Sequence, residues 1–412
     1  MRDKQDSQDS QARADGVTIR ALEPGDGTDA LFDLRCRAFG PFPGGDRALW
    51  QQEQEPVIRE QRYLGAFDGA RLVAAARFHD MTQWWYGRAV PMAGVASVAV
   101  GPQERGRGVG RSLMTALLEV IASRGYPVSV LYPSTMPIYR ALGWEIAGTS
   151  YEAVFAAHAL RSLATSAAPA GRPAGLRRAG PGDAAQAREV LGRVHAAARD
   201  CGPSVRDEAT IRLALGDENE YVYLADDGML ACTWRDGGDQ LFVQTAVAAS
   251  EQTTRALWAI VASHCWIADT VRARVAPADP VWWLSRDPIA DIVDHDDWML
   301  RVVDPVAAIA ARGFPPAADL AIFLQITDAA RAGNCGLWRL AVSGGSGSLS
   351  RVRPADGEAI SITLSERGLA ALYAGTPVAT LRRSGLVAGG DAQADALLDG
   401  AFAAAPFMLD RF

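Results

Sequence analysis

The apolar positions between residues 17 and 155 follow two periodicities, one typical of strands and one typical of helices. Alternating or continuous apolar runs predict strands at 17–22, 63–67, 72–79, 92–100, 127–132 and 144–155. A 3.6-residue spacing predicts a helix ending near Phe39, and a longer helix whose apolar face contains Val109, Leu113, Leu117, Val120 and Ile121. A short helix around Ile138 is predicted to end at Gly143. Helices and strands therefore mix, which predicts an α+β (mixed α/β) fold.

A loop of arginines and glycines joins the strand at 92–100 to the longer helix. It has the form R-x-x-G-x-G and contains Arg105, Gly106, Arg107, Gly108 and Gly110. Such a loop presents backbone N–H groups beside the positive end of a helix dipole, and its glycines let a phosphate approach the backbone. The two arginines add charge-assisted donors. The sequence therefore predicts a site for a ligand that carries a pyrophosphate.

The segment after residue 175 repeats features of the first part. Residues 19–26 (IRALEPGD) match residues 176–183 (LRRAGPGD), and residues 98–104 (VAVGPQE) match residues 245–251 (TAVAASE) in the same order. After the second match the glycines are missing, and the chain goes directly into a helix. We interpret this as an internal duplication whose second copy has no phosphate-binding loop. The stretch at 161–175, rich in Ala, Pro and Gly, is the predicted linker.

The pattern changes again at Trp298. Strands at 299–303, 320–327, 336–342, 350–353 and 359–364 and helices at 305–312, 365–373 and 392–402 predict a third α+β domain. The chain ends in the apolar, aromatic sequence PFMLDRF (406–412), which we expect to dock against another part of the protein. The predicted division is a disordered tail (1–15), a first domain (16–160), the linker (161–175), a degenerate copy (176–297) and a third domain (298–412).

Composition and charge narrow the function classes. A net charge of −7 and a pI of about 5.4 argue against nucleic-acid binding and mildly favour cationic small molecules as partners. The polar N-terminus lacks the apolar core of a signal peptide, and no run approaches the length of a membrane span, so we expect no membrane association. Five widely spaced cysteines without a C-x-x-C pair indicate free thiols in a cytoplasmic protein, and no metal site is expected.

The strand, the R-x-x-G-x-G loop, the helix after it and the later tyrosine on a short helix resemble the GNAT superfamily of N-acetyltransferases. The three-part layout with its terminal Phe412 resembles, over nearly the whole chain, the enhanced intracellular survival (Eis) type of aminoglycoside and polyamine acetyltransferase. The resemblance implies tandem GNAT domains, the second degenerate, and a C-terminal domain similar to sterol carrier protein. It also implies acetyl-CoA as cosubstrate, a small-molecule amine as acceptor and a homo-oligomer, typically a hexamer.

The resemblance also implies roles for individual residues. Val98 and Val100 would pair with the pantetheine arm of acetyl-CoA through their backbone, the arginine–glycine loop would wrap the pyrophosphate, and Ser134 would lie near the thiol. Tyr139 matches the general acid that protonates the departing thiolate, and the C-terminal carboxylate of Phe412 matches the general base that takes the amine proton. Tyr132, at a strand end, is the rival candidate for the acid.

The acceptor site is predicted from charge and aromatic content rather than from the resemblance. An acidic pocket with aromatic walls would hold a polycationic amine. The candidates, several of them on a predicted loop at 39–50, are Asp33, Phe39, Phe42, Asp46, Trp50 and Asp410, with Glu53 as a further carboxylate. Arg411 would lower the pKa of the terminal carboxylate or repel a cationic substrate. The aromatic clusters Trp84–Tyr86 and Trp282–Trp283 are predicted to be core or interface.

Two other functions fit the same sequence. A protein lysine acetyltransferase would perform the same chemistry on a peptide. A non-catalytic CoA- or lipid-binding protein would instead work through the sterol carrier-like domain. In the Eis layout, that domain mainly supplies the C-terminus and part of the pocket wall.

Overall fold

The structure is a computed structural model, and it describes residues 12–14, 16–41, 47–160, 173–264, 266–284, 290–352 and 361–412. The strands are Ala12–Ala14 (β1), Val17–Ala21 (β2), Tyr63–Asp68 (β3), Arg71–Trp85 (β4), Arg88–Val100 (β5), Val128–Leu131 (β6), Glu145–Ala156 (β7), Arg177–Arg178 (β8), Cys201–Arg206 (β9), Glu220–Ala225 (β10), Gly228–Arg235 (β11), Gln240–Ala248 (β12), Thr270–Val275 (β13), Ala290–Val302 (β14), Leu320–Thr327 (β15), Gly336–Ser343 (β16), Ser346–Arg351 (β17), Ser361–Ser365 (β18) and Val387–Gly389 (β19). The α-helices are Thr28–Phe39 (α1), Arg47–Arg59 (α2), Val109–Ser123 (α3), Pro137–Arg140 (α4), Ala184–Ala198 (α5), Glu208–Ala214 (α6), Glu251–Ser263 (α7), Val281–Leu284 (α8), Pro305–Ala311 (α9), Glu366–Tyr373 (α10), Val378–Arg383 (α11) and Ala392–Phe402 (α12).

A long antiparallel hairpin of β4 and β5 forms the centre of the first domain. The chain turns between the two strands at Tyr86 and Gly87, which both have positive φ, as the right-handed twist of a two-residue hairpin turn requires. β6 then adds to β5 in parallel, with α3 as the crossover helix. The apolar face of α3 predicted from its spacing is buried against this sheet.

One sheet runs through the first and second domains. Its strand order is β1-β2-β3-β4-β5-β6-β14-β7-β13-β12-β11-β10-β8, and β9 pairs with residues 81–85 of β4. Three strands from beyond the linker therefore pair with the first domain: β14 lies between β6 and β7, β13 pairs with the other edge of β7, and β9 lies beside β4. This exchange brings residues 201–206 next to the central hairpin.

The duplication inferred from the sequence has a counterpart in the local structure. Arg20 forms a bidentate ion pair with Asp26 at 2.7 and 2.5 Å, and Arg177 forms the corresponding pair with Asp183 at 2.8 and 2.7 Å. In both copies the aspartate also accepts a backbone N–H from three residues earlier, at 2.7 and 2.8 Å. The parallel strands β12 and β13 with α7 likewise repeat β5 and β6 with α3.

The third domain is a five-stranded sheet in the order β17-β16-β15-β18-β19, packed against helices. In its core the guanidinium of fully buried Arg312 lies within about 5 Å of four aromatic rings, those of Trp85, Phe314, Tyr373 and Phe402. Trp85 comes from the end of β4. The hairpin of the first domain therefore reaches into the core of the third, which confirms that Trp85 is a core residue.

Four predicted boundaries differ from the structure. Arg47–Arg59 form α2, so Trp50 lies on a helix rather than on a loop, because good helix formers follow the glycines there. Ala12–Ala14, predicted as part of the tail, pair with β2 as β1. Residues 299–302, predicted to begin the third domain, belong to β14 in the large sheet. The strand predicted at 350–353 begins earlier, because β17 starts at Ser346. Of the predicted linker, residues 161–172 lie outside the described residues, as do residues 1–11 of the tail.

Candidate active site

The arginine–glycine loop (residues 105–110) leads from β5 into α3 with its backbone amides unpaired. Gly106 and Gly108 have φ of +82° and +79°, and Gly108 caps α3 without a side chain. The amides of residues 106–111 donate no hydrogen bond to any described residue. A β-carbon at either glycine would meet no atom within 4 Å, so the space above the loop is open. These free donors at the start of a fifteen-residue helix fit a pyrophosphate.

Buried Glu104 fixes the start of this loop. It accepts a hydrogen bond from Arg71 at 2.7 Å and another from Arg107. The bond from Arg71 lowers the pKa of the Glu104 carboxyl. Arg107 is therefore held within the loop, whereas Arg105 is exposed and makes one long contact, 3.5 Å, with the carbonyl of Ala38. We expect Arg105 to be the arginine that turns towards a bound phosphate.

A cleft opens between β5 and β6 beside the loop. The two strands pair from Met92 and Val128 to Val95 and Leu131, where β6 ends, while β5 continues to Val100. The register against β4 shifts in the same stretch, at a bulge in which Ser97 has a φ of +53°. The part of β5 that contains Val98 and Val100 thus has no strand on its β6 side, and its backbone is available to an extended ligand.

The second copy of the fold closes the corresponding helix end with its own side chains. Ser250 caps α7 and accepts a hydrogen bond from the backbone N–H of Thr253 at 3.3 Å. The hydroxyl of Thr254 in turn donates to the carbonyl of Ser250 at 2.8 Å. The Ser250 side chain therefore takes up a backbone donor at the start of α7, whereas the amides at the start of α3 stay free. We call the open arginine–glycine loop of the first domain (residues 105–110) the cradle.

Tyr139 lies where the cradle and the cleft meet. A β-carbon at Gly110 would come within 3.2 Å of Val100 and 3.3 Å of Ile138, so α4 packs closely on β5 and the first turn of α3. Tyr139 follows on α4 and is 4% exposed. Burial raises the pKa of its hydroxyl, which forms a hydrogen bond with Ser134. A buried tyrosine of this kind keeps its proton at neutral pH.

Tyr132 has a different partner. Its hydroxyl donates to the backbone carbonyl of Asp410 at 3.0 Å, and burial raises its pKa. Its ring lies edge-on to that of Phe412, with 5.8 Å between the centroids. The hydroxyl proton of Tyr132 is therefore already used in a hydrogen bond to the C-terminal segment.

The last residues of the chain cross both N-terminal domains. Phe407 donates its backbone N–H to the carbonyl of Cys201 at 3.1 Å. The carbonyl of Leu409 accepts a hydrogen bond from Arg274 at 3.1 Å. Asp410 forms a bidentate ion pair with Arg206 at 2.7 and 2.9 Å. The predicted docking of the C-terminus is confirmed, and it places residue 412 at the central hairpin of the first domain.

Phe412 lies where β5 and β6 separate. Its ring is 6.2 Å from that of His79, and it packs on Gly94, where an added β-carbon would come within 2.8 Å of the ring. The terminal carboxylate forms no ion pair with any described residue, since Arg411 turns away to Asp296 at 2.8 Å. The expected effect of Arg411 on this carboxylate is therefore not supported by the geometry, because Asp296 balances its charge.

Three family models match successive parts of the chain. Two are described as acetyltransferase (GNAT) domains and match residues 18–147 and 202–302. The third is described as a sterol carrier protein domain and matches residues 305–409. These matches confirm two GNAT domains followed by a sterol carrier-like domain.

The chain also matches proteins of known sequence and structure. A crystal structure of a GCN5-related N-acetyltransferase from Kribbella flavida is 44% identical with a TM-score of 0.89, and the match covers 96% of this chain and 98% of that one. The chain belongs to the GCN5-related N-acetyltransferase family.

Two further comparisons connect this acetyltransferase with Eis. N-acetyltransferase Eis from Mycobacterium tuberculosis is 32% identical over 143 residues, which are 33% of this chain and 35% of that protein. Eis1 from Mycobacterium abscessus shares the fold over 96% of this chain and 100% of its own, with 24% identity and a TM-score of 0.73. GNAT enzymes take their acetyl group from acetyl-CoA, and the open cradle and cleft fit that molecule.

A cavity of about 1000 Å³ separates the first and second domains of the acetyltransferase. Its walls come from α2 and β4 on one side and from β9, α6 and the segment between α6 and β10 on the other. It reaches His79, and therefore the position of Phe412. Eight carboxylates and four guanidinium groups line it, so its walls are net acidic.

The structure separates the residues predicted for the acceptor site. Asp33 is exposed and paired with Arg37 on its own helix, and Asp410 is neutralised by Arg206. Neither carboxylate lines the cavity, so these two predictions are not supported. Phe39 is 50% exposed at the end of α1, and Trp50 packs edge-on against Phe32 at 5.2 Å. Phe42 and Asp46 lie outside the described residues.

Glu53 does line the cavity, and several other lining residues had no signal in the sequence. Burial raises the pKa of Glu53, although Arg77 and Arg206 oppose this shift. Arg77 and His79 alternate along β4, and Asp217 and Glu220 flank the start of β10. They meet because β9 pairs with β4, a contact that no local pattern in the chain reveals.

No helix in the described part of the chain is both long and apolar enough to cross a membrane. Among the described residues, no group of three or more His, Cys, Asp or Glu side chains is placed to hold a metal ion.

Proposed function

We propose that this acetyltransferase moves the acetyl group of acetyl-CoA to an amine of a small cationic molecule, of the aminoglycoside or polyamine kind. The observation that carries the proposal is that three features line the β5–β6 cleft. These are the open cradle and the buried hydroxyl of Tyr139 at the α3 end, and the unpaired carboxylate of Phe412 where the two strands separate. The acidic cavity, which reaches the position of Phe412, supports a cationic acceptor.

The reaction needs two proton transfers, and each has a candidate group. The amine nitrogen attacks the thioester carbonyl carbon, so a C–N bond forms while the C–S bond breaks. The carboxylate of Phe412 takes the amine proton, directly or through a water, and Tyr139 gives a proton to the departing sulfur. The bulged stretch of β5 holds the thioester so that attack depends mainly on proximity.

Tyr139 is preferred to Tyr132 as the acid because their partners differ. Tyr132 already donates to the carbonyl of Asp410, whereas the partner of Tyr139 is the hydroxyl of Ser134. A hydroxyl accepts and donates, so Ser134 can return a proton to Tyr139 after each turnover.

Thiol release from acetyl-CoA tests the proposal. Tobramycin and spermine should each accelerate release, and mass spectrometry should show an added acetyl group on the amine. The Tyr139→Phe protein should lose most turnover while Tyr132→Phe keeps more of it. Absence of amine-dependent release, together with a lipid that co-purifies with the protein, would contradict the proposal and favour a carrier function.

We also propose that the acetyltransferase is a cytoplasmic homo-oligomer. Trp283 is 81% exposed, and Ile267 on the same domain is 67% exposed; exposed aromatic side chains of this kind are enriched at subunit interfaces. The four described cysteines form no disulfide, in keeping with a reducing compartment. Light scattering of the wild-type and Trp283→Asp proteins measures the assembly, and the variant should shift to smaller species.

A further inference from the structure

The cavity between the two domains is acidic at its mouth and basic at its inner end. Asp217 and Glu218 are exposed at the mouth. Arg62 and His79 are buried at the inner end, and Arg77 is part-buried beside them. An acceptor that carried positive charge alone would meet a favourable mouth and an unfavourable interior.

Arg77 differs from its two neighbouring arginines in having no carboxylate partner. Arg62 pairs with Glu60 at 2.6 Å, and Arg206 pairs with Asp410 at 2.7 Å. Arg77 donates one hydrogen bond, to the side-chain oxygen of Gln54 at 2.6 Å, and forms no ion pair with any described residue. Its Nε is buried and has no acceptor. A guanidinium N–H that is buried without an acceptor is costly unless a ligand accepts its hydrogen bond.

The nearest balancing charges do not satisfy Arg77. Glu53 attracts it across the cavity without a hydrogen bond, while Arg62 and Arg206 repel it. Burial and these same three guanidinium groups lower the pKa of His79 to about 2, so the imidazole is neutral and adds no compensating charge. The Nε2 atom of His79 is also buried without a partner. The inner end therefore offers positive charge and unused hydrogen-bonding groups to one ligand.

Arg77 and the terminal residue Phe412, whose free groups carry opposite charges, are located at neighbouring positions along the β4–β5 hairpin. Arg77 is paired across from Ala96 and His79 across from Gly94, and Phe412 packs on both His79 and Gly94. Two residues along a strand span about 7 Å, which is the backbone spacing between Arg77 and His79. We take this spacing as the scale of an acceptor that presents an amine to the carboxylate of Phe412 and an anion to Arg77.

We propose that the acceptor is zwitterionic: it carries a carboxylate that binds Arg77 in addition to the amine that is acetylated, as in an amino acid or a short peptide. This inference rests on the proposed acetyl transfer and specifies its acceptor. The planar guanidinium matches a carboxylate with two parallel hydrogen bonds, which a lysine at the same place would not provide.

Matched acceptors that differ in the carboxylate alone test this inference. L-Lysine, L-lysinamide and cadaverine form one series, and L-ornithine, L-ornithinamide and putrescine form another. Tobramycin and spermine serve as amines without a carboxylate. The α-amine of each amide is less basic than that of the matching acid and is therefore more often neutral. The intrinsic reactivity of the amine thus favours the amide. A higher kcat/KM for the acid would therefore report better binding of the acid. We expect kcat/KM for the acids to exceed that for the amides and diamines by about tenfold or more, the change associated with a hydrogen bond to a charged group.

Variants locate the preference at Arg77. Arg77→Met should abolish it by raising KM for the acids, and Arg77→Lys should keep part of it. Arg212→Gln, which removes a guanidinium from the exposed mouth of the same cavity, should leave it unchanged. The wild-type comparison stands even if a variant fails to fold. Turnover of tobramycin or spermine without any preference for the acids would overturn the zwitterion inference alone. No turnover of any amine would overturn the proposed function and the inference with it.

Discussion

A single methyl group added at Gly94 should displace the catalytic end of the chain. Its β-carbon would lie 2.8 Å from Cε2 of Phe412 and 2.7 Å from Sδ of Met81, against an ordinary contact of 3.4 Å or more. Both neighbours are side chains, so the sheet can stay in place while the terminal ring moves by more than half an ångström. We expect Gly94→Ala to cost about 1–3 kcal/mol in the free energy of unfolding through overpacking. Because a shift near 1 Å can cost about a hundredfold in rate, kcat should fall by about ten- to a hundredfold.

Steady-state thiol release measures this effect, and the KM for acetyl-CoA should change little because the cradle is untouched. Gly400→Ala is the matched control, since its β-carbon would meet no atom within 4 Å and it lies in α12. That variant should keep wild-type kcat and gain slightly in thermal stability. A Gly94→Ala protein that is folded and fully active would refute the placement of Phe412 at the reacting centre.

Three further predictions follow from the geometry. Gly108→Ala forces a left-handed residue at φ of +79°, so it should lower the free energy of unfolding by about 1 kcal/mol and raise the KM for acetyl-CoA; an unchanged KM would place the pyrophosphate elsewhere. Arg411→Ala should leave kcat within about twofold, because its charge is balanced by Asp296, and a large change in the pH profile would show that it does act on the terminal carboxylate. His79 has a pKa of about 2 in the folded protein, below its value of 6.5 in the unfolded chain. Below pH 6.5 only the unfolded chain takes up this proton, so the free energy of unfolding should fall by about 1.4 kcal/mol for each unit by which the pH is lowered. Urea unfolding of His79→Gln should lack that contribution, and equal slopes for both proteins would contradict the buried, neutral imidazole.

The cofactor side of the site could be predicted from the sequence because its determinants are local. An apolar strand, a run of glycines and a helix of period 3.6 lie within about thirty residues of one another, and each has a conformational reason. The lack of glycines after residue 251 likewise predicted that the second copy would have no cradle. The side chain of Ser250 capping α7 supplies the physical counterpart of that prediction.

The acceptor side could not be predicted because its partners are distant in sequence. Asp410 looked like a free carboxylate, yet Arg206, 204 residues earlier, neutralises it. The cavity arises because β9 of the second domain pairs with β4 of the first, and no periodicity encodes that exchange. Arg77 lies in an apolar strand and had no distinguishing signal, although an arginine in such a run, if buried, needs a partner.

The central claim is that a carboxylate at the end of the third domain acts as the base in the first. Semisynthesis of the full-length protein with an α-carboxamide at Phe412 removes that charge and keeps the ring, the fold and the cradle. We predict that kcat falls by at least about a hundredfold, the scale of a lost general base, while the KM for acetyl-CoA is unchanged. A carboxamide protein with the wild-type kcat would contradict the account.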